Sequence, residues 1–253
     1  MRPSDRHQRI MDTLRMRERA SVSELADIMQ ASQETIRRDL NALADQGLLE
    51  KFHGGASLPP AGDRENAFQT RLHEHASEKQ MIARHAASLF RAGDSLFIDT
   101  GTTTLMFARA LAGKQPMTII TNSLQIAGTL GSTGHRVFTI GGEYHADADE
   151  NLGTLALDQI RRFNAEHAVI TVGALDRDGA MDFSLEEADV ARAMVAQASS
   201  LTVIADGSKL DRRALFQIFP LARIDRLVVD RAPTPELARA LDEAGVELYV
   251  AEA

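Results

Sequence analysis

Two groups of residues have types and spacing that can do chemistry. The first is Asp99-Thr100-Gly101-Thr102-Thr103-Thr104, an acid, a glycine and a run of hydroxyls. If a strand ends there and a helix begins at Thr102, Thr103 and Thr104, hydroxyls and helix N–H groups converge on one point. Such a point favours an anionic oxygen group. Gly101 would permit an unusual turn and close backbone approach. Lys209, in Asp206-Gly207-Ser208-Lys209, can supply counter-charge. Asp99, Asn122 and Asp206 can bond sugar hydroxyls. Gly141, Gly142, Gly173 and Glu187 complete this candidate effector set. The second group follows Ser32. Its outward side chains Gln33, Glu34, Thr35, Arg37, Arg38 and Asn41 are types that contact base edges and phosphates. Ser21, Ser32 and Thr35 can add phosphate contacts. Lys51 and His53 can reach phosphate or the minor groove.

Each group has a plainer alternative. Thr102–Thr104 can be a capped helix start and no more. Asn122 can be a helix N-cap, Gly141-Gly142 a simple turn, and Lys209 a solvated lysine. The residues after Ser32 can be the charged face of any small three-helix domain. No Gly-Lys-Ser/Thr follows Gly101, so this is not a phosphate loop for nucleotide hydrolysis. His73, His75 and His85 have no carboxylate at a telling spacing, and no metal site or cofactor is expected.

The first group needs a strand–helix scaffold. Strand-like runs recur at Ser95–Ile98, Met117–Thr121, Val137–Ile140, Ala168–Val172, Leu201–Ala205, Leu227–Val229 and Val246–Val250. Helix-like segments at Ser77–Arg91, Thr104–Ala112, Ser123–Leu130, Leu155–Phe163, Glu186–Ser199 and Pro235–Ala244 precede or separate most of them. This alternation predicts a mostly parallel sheet covered on both faces, with ligands beyond the carboxyl ends of its strands.

The second group needs a helix–turn–helix. Ile10, Met11 and Leu14 set a first helix. Ser23 is read as the N-cap of a second, with Leu25, Ile28 and Met29 on one face. After a turn at Gln30-Ala31, Ser32 caps a third helix with Ile36, Leu40 and Leu43 inward and Gly47 as its C′ residue. The spacing lets that helix project into a major groove. Leu48–Phe52 followed by a Gly54-Gly55 turn predicts a hairpin wing.

The chain divides at Pro59-Pro60. Residues 1–57 form the expected DNA-binding domain, 58–76 a linker and 77–253 the α/β sensor. Residues 1–57 hold nine basic and nine acidic residues, so the net charge of −8 belongs to the remainder. Binding to a polyanion must therefore be local. The absence of Cys excludes disulfide scaffolds and thiol nucleophiles. No apolar run suits a membrane helix, and residues 1–19 lack a signal-peptide core. A cytoplasmic location and no membrane partner are expected.

The run Thr35-Ile36-Arg37-Arg38-Asp39-Leu40 with His53-Gly54-Gly55-Ala56 resembles the DeoR family of bacterial repressors. The likeness continues through Glu78-Lys79, Asp99–Thr104, Thr121-Asn122-Ser123, Gly141-Gly142-Glu143, Ala205–Lys209 and Val228-Val229-Asp230. It implies a winged helix-turn-helix domain plus a Rossmann-like α/β sensor domain of the sugar-phosphate isomerase and CoA-transferase kind. It also implies a repressor, a duplex operator and a phosphorylated sugar or polyol as effector. Asp182–Glu187 after Asp178-Gly179 is similar to the glycerol-3-phosphate repressor branch. Many members carry Lys before Arg-Ala where this chain has Ala191-Arg192-Ala193. A homo-dimer or tetramer is expected from two-fold DNA sites. The competing reading is a sugar-phosphate isomerase with a regulatory head, using Asp99, Glu187, Asp206 and Lys209 as acid–base groups. The head and the lack of a known catalytic motif favour the regulator.

Overall fold

The computed structural model describes residues 3–17, 19–45, 49–52, 54–57 and 65–252. The chain forms two compact units, Met1–Thr70 and Arg71–Ala253. In the first, helices α1 (Pro3–Arg17), α2 (Val22–Met29) and α3 (Gln33–Asp45) accompany strands β1 (Arg19–Ser21), β2 (Glu50–Phe52) and β3 (Gly55–Ser57). The apolar spacing accounts for the packing. Ile10 and Leu14 of α1, Leu25 and Met29 of α2, and Ile36, Leu40 and Leu43 of α3 share one buried core with Leu49. Each such side chain contributes about 1.5–3 kcal/mol by leaving water.

The strands form an antiparallel sheet in the order β1-β3-β2. Strand β1 was not anticipated, because three residues are too few to show an alternating pattern. Two expectations are corrected. The cap of α2 is Ser21, whose hydroxyl accepts from Glu24 N while Glu24 reaches back to Ser21 N; Ser23 lies inside the helix. The wing turn uses Gly54, at φ +89°, whereas Gly55 belongs to β3, where a Cβ would meet Ala20 O at 2.5 Å. Gly47, Leu48, His53 and the Pro59-Pro60 pair lie outside the described residues.

Helix α4 (Phe68–His73) contains the point where one unit gives way to the next. The second unit continues with α5 (Ala76–Ala87), β4 (Ser95–Ile98), α6 (Thr102–Leu111), β5 (Thr118–Thr121), α7 (Leu124–Leu130) and β6 (Arg136–Thr139). A hairpin follows, β7 (Glu143–His145) and β8 (Glu150–Leu152), then α8 (Gly153–Ile160) and β9 (Ala165–Ile170). After β10 (Ala174–Asp176) and β11 (Gly179–Asp182) come α9 (Leu185–Ala196), β12 (Ala198–Ile204), β13 (Phe216–Phe219), β14 (Arg226–Val229), α10 (Pro235–Glu243) and β15 (Glu247–Val250).

Seven of these strands form a sheet in the order β15-β14-β12-β9-β4-β5-β6, and every neighbouring pair is parallel. Phe97, Ala168, Ile170, Val203 and Val229 join the core beneath α8, α9 and α10. The alternate residues Leu96, Ile98, Val169, Ile204 and Val228 are also fully buried and face the other side. Burial on both faces explains why these strands read as continuous apolar runs. From β4 the chain proceeds through β5 to β6, then crosses back to β9 on the opposite flank of β4. The β4–β9 junction is therefore the topological switch point, where such sheets bind ligands. The hairpin β7–β8 and the small antiparallel sheet β10-β11-β13 were not anticipated.

Candidate functional site

Helix α3 presents the first site. Ser32 caps it: Thr35 N donates to Ser32 Oγ at 3.2 Å. Gln30 takes a left-handed φ of 50° to close the turn from α2. Gln33, Arg37, Arg38 and Asn41 are exposed on α3, and Thr35 is half-buried. The Arg37 and Arg38 side chains are 58% and 80% exposed, and Glu34 lies 3.9 and 3.5 Å from their nitrogens. Exposed pairs of this kind are weak and exchange readily for phosphate. Lys51 Nζ donates to Asn41 Oδ1 at 2.7 Å, which joins the wing to α3. Ser21 has its hydroxyl and N–H engaged in the α2 cap, so it serves the fold rather than offering an open phosphate contact. His53 lies outside the described residues.

Sequence reasoning missed what fixes α3 in place. Asp39, between Arg38 and Leu40, is 6% exposed. Its carboxylate accepts from Arg6 Nε at 2.5 Å and Nη2 at 3.1 Å, and His7 Nε2 stands 3.0 Å away. Burial alone would raise the Asp39 pKa, but these partners hold it below the usual carboxylate range. The partners are more than thirty residues distant in sequence, so no local pattern announces them.

The second site lies at the carboxyl ends of the parallel strands. Asp99 and Gly101 follow β4, Asn122 follows β5, Gly141 and Gly142 follow β6, Gly173 follows β9, and Asp206 and Lys209 follow β12. Asp99 bridges the switch point: Thr171 N donates to both its carboxylate oxygens, at 3.2 and 3.1 Å. Gly101 is explained differently from expectation. Its φ of 176° is ordinary extended backbone. What excludes a side chain is Thr171 Cγ2, 2.2 Å from where a Cβ would stand. The approach that Gly101 permits is thus to the neighbouring loop. Thr102, Thr103 and Thr104 open α6 and are all buried. Thr104 Oγ1 donates back to Gly101 O at 3.1 Å, so this hydroxyl is spent within its own helix.

Asn122 is not the cap of α7; Ser123 is. Instead, Asn122 Nδ2 donates to Glu150 Oε2 at 3.1 Å and Asn151 O at 3.3 Å. This fixes the amide orientation and leaves Asn122 Oδ1 buried without a hydrogen-bond donor. Gly141 N–H donates to Gln159 Oε1 and its carbonyl accepts from Gln159 Nε2. At Gly142 a Cβ would meet Leu152 O at 2.4 Å, and at Gly173 it would meet the Phe183 ring at 2.8 Å. Gly142 and Gly173 therefore answer to packing. Glu187 N is held by Ser184 Oγ at the start of α9.

The electrostatics divide the site. Asp99 is pushed well above the usual range, chiefly by burial and further by Asp182, Glu150 and Glu187. Burial pushes Glu150 up to about 7, against the opposing pull of the Thr100 hydroxyl, His145, Asn122 and Arg71. Asp206 behaves in the opposite way. Burial would raise it, but the Ser208 hydroxyl and N–H, with Lys209 and Lys79, hold it low. Lys79 is 3% exposed and is drawn down by burial. Asp99 thus lies among carboxyl groups, Lys79 and Lys209 gather around Asp206, and Arg71 acts on both Lys79 and Glu150. Lys79, Arg71, Glu150 and Thr171 were not among the expected site residues. Glu78-Lys79 was visible only as a shared dipeptide. Among the described residues no group of three or more His, Asp or Glu is placed to hold a metal ion.

A winged helix-turn-helix in one chain with a Rossmann-like sheet defines a two-part DNA-binding transcription regulator. The chain belongs to the DeoR family. Residues 6–60 match the DeoR-like helix-turn-helix domain and residues 74–231 the DeoR C terminal sensor domain. It is 30% identical over 250 residues to the glycerol-3-phosphate regulon repressor of Escherichia coli (strain K12), covering 98% of this chain and 99% of that protein. It is 32% identical over 244 residues to the transcriptional repressor GlcR of Bacillus subtilis (strain 168), covering 96% and 94%. Among solved structures, ribose 5-phosphate isomerase A of Neisseria gonorrhoeae overlaps 53% of each chain, with a TM-score of 0.40 and 16% identity. The translation initiation factor eIF-2B of Pyrococcus horikoshii overlaps 90% of this chain and 82% of its own, with a TM-score of 0.44 and 16% identity.

Proposed function

We propose that this protein is a cytoplasmic repressor released from its operator by a phosphorylated sugar or polyol. The observation that carries the effector reading is the charge division at the strand ends. Lys209 and Lys79, beside Asp206, offer a cationic end for a phosphate. The other end offers hydroxyl-binding groups. Asn122 has spent its N–H donors, so its orphan Oδ1 accepts only from a donor such as a sugar hydroxyl. Asp99, Glu150 and the Thr100 hydroxyl extend that surface. A ligand anionic at one end and hydroxylated along its length suits both. Glycerol 3-phosphate is the first candidate, because a relative is named for it.

On the DNA side, Gln33, Thr35, Arg37, Arg38 and Asn41 enter the major groove, and Lys51 on the wing contacts the backbone. Two or more copies bind paired half-sites. The protein acts as a regulator and not as an enzyme, as its relatives named as repressors suggest. The test is a thermal-shift screen of phosphorylated sugars and polyols against their unphosphorylated parents. Binding to the native state raises its melting temperature by mass action. A rise with one phosphorylated compound and none with its parent is expected. No rise with any compound, or turnover of a sugar phosphate by pure protein, contradicts the reading.

A further inference from the structure

We infer that the effector carries an amino group as well as a phosphate, its ammonium seated among Asp99, Glu150 and Asn122 Oδ1 and its phosphate at the cationic end beside Asp206. The ligand class is a phosphorylated amino sugar. The inference rests on the phosphorylated-effector reading above and narrows it.

Three segments of the chain bring these groups together. Asp99 follows β4 and Asn122 follows β5, and the register of that parallel pair ends at Ile98 and Thr121. Glu150 comes from the β7–β8 hairpin and bridges to Ser123. Asp99 and Glu150 are 7% and 2% exposed. Their hydrogen-bond partners are neutral: the Thr171 N–H for Asp99, and the Asn122 amide for Glu150. The charged groups that act most strongly on Asp99 are Asp182, Glu150 and Glu187, all of them acidic. His145 and Arg71 act on Glu150 through their charge. A carboxylate taken out of water is costly unless a cation is paired with it. Both groups are accordingly pushed toward the neutral acid, Glu150 to about 7.

A second observation is independent of charge. Asn122 is 1% exposed, and its N–H donors are spent on Glu150 Oε2 and Asn151 O. Its Oδ1 is buried with no donor. The Thr171 N–H is spent on Asp99. These groups therefore offer a ligand acceptors, and their N–H donors are used up. A hydroxyl brings one donor and two lone pairs, whereas an ammonium brings three donors and no lone pair. The ammonium is the better match, and it alone brings the positive charge that buried carboxylates require. When it binds, Glu150 gives its proton to solvent and holds the ligand as a carboxylate.

The test is isothermal titration calorimetry on the full chain with matched compounds. They are glucosamine 6-phosphate, glucose 6-phosphate and N-acetylglucosamine 6-phosphate, then the same sets built on galactose and mannose. In the first set that binds, the amino compound binds about tenfold or more tighter than its hydroxyl parent and its N-acetyl derivative. Equal or weaker binding of the amino compound, or binding confined to phosphates that lack an amine, overturns the inference and leaves the effector reading intact. If no phosphorylated compound raises the melting temperature, the effector reading falls and takes the inference with it. In Glu150→Gln the advantage of the amine over its parent falls below about twofold, and an undiminished advantage overturns the inference. If that variant fails to fold, proton release by the wild type decides. Titrations at about pH 6.5, below the Glu150 pKa of about 7, are run in two buffers of different ionisation heat. The amino compound releases more protons than its parent, and equal release overturns the inference.

Discussion

The two units hold their working polar groups in opposite ways. On α3 the groups stand in water. Arg37 and Arg38 are more than half exposed, beneath them lies a core of Ile36, Leu40 and Leu43, and Asp39 locks the helix to Arg6 and His7. In the sensor the groups are buried: Thr102, Asn122 and Asp206 are each 4% exposed or less. A surface that meets a polyanion gains from exposed, exchangeable charge. A cradle for a small molecule must exclude water and hold every polar atom in place. The lesson is practical. Function and stability separate in the first unit and are entangled in the second.

The largest expected effect breaks the comparison at its simplest point. Replacing both Arg37 and Arg38 with Ala lowers DNA affinity about a thousandfold, since each such contact contributes about 1–3 kcal/mol. The salt dependence of binding flattens by about two units, and the melting temperature barely moves. Wild-type affinity in a gel shift refutes the assignment.

Next comes pH. Glu150 has a folded pKa of about 7, above its ordinary value of 4.5. The native state therefore holds a proton that the unfolded chain releases. The associated stability is complete below about pH 4.5 and is lost as pH rises through 7, by at most about 3 kcal/mol. Asp99, shifted in the same direction, adds to this slope. Urea unfolding at pH 5 and pH 8 measures it, and Glu150→Gln removes its own share. An unchanged slope in that variant removes Glu150 from the account.

Asp39→Ala is the exception that sharpens the comparison, a buried charge within the exposed unit. It leaves Arg6 without its carboxylate and costs about 2 kcal/mol in denaturant unfolding. A loss of DNA affinity at full stability would show that Asp39 acts on DNA rather than on the position of α3. The smallest effect is at Lys209, where Ala weakens the response to effector about tenfold, or about 1.4 kcal/mol, with DNA affinity unchanged. An unaltered response moves the phosphate elsewhere.

What the sequence shows of each region follows from the same contrast. The α3 surface was legible because Ile36, Leu40 and Leu43 fix one face, and the remaining side chains must point outward. The parallel sheet was legible from strands buried on both faces. The small strands were not: β1, β7 and β8 have three residues each, too short for any period. Gly101, Gly142 and Gly173 were visible as glycines, but the atoms that exclude a side chain come from Thr171, Leu152 and Phe183. Asn122 was placed correctly after β5, yet its partners Glu150 and Asn151 come from an unforeseen hairpin. Lys79 lay hidden because a lysine in a helix normally reads as solvated.

The central claim is that an anion bound in the sensor governs the hold of α3 on DNA. Fluorescence anisotropy of a selected duplex, titrated with full-length protein with and without saturating glycerol 3-phosphate or another sugar phosphate that raises its melting temperature, tests it directly. The account predicts a 5- to 150-fold loss of DNA affinity with the bound compound. Identical affinity with and without a compound shown to be bound would contradict it.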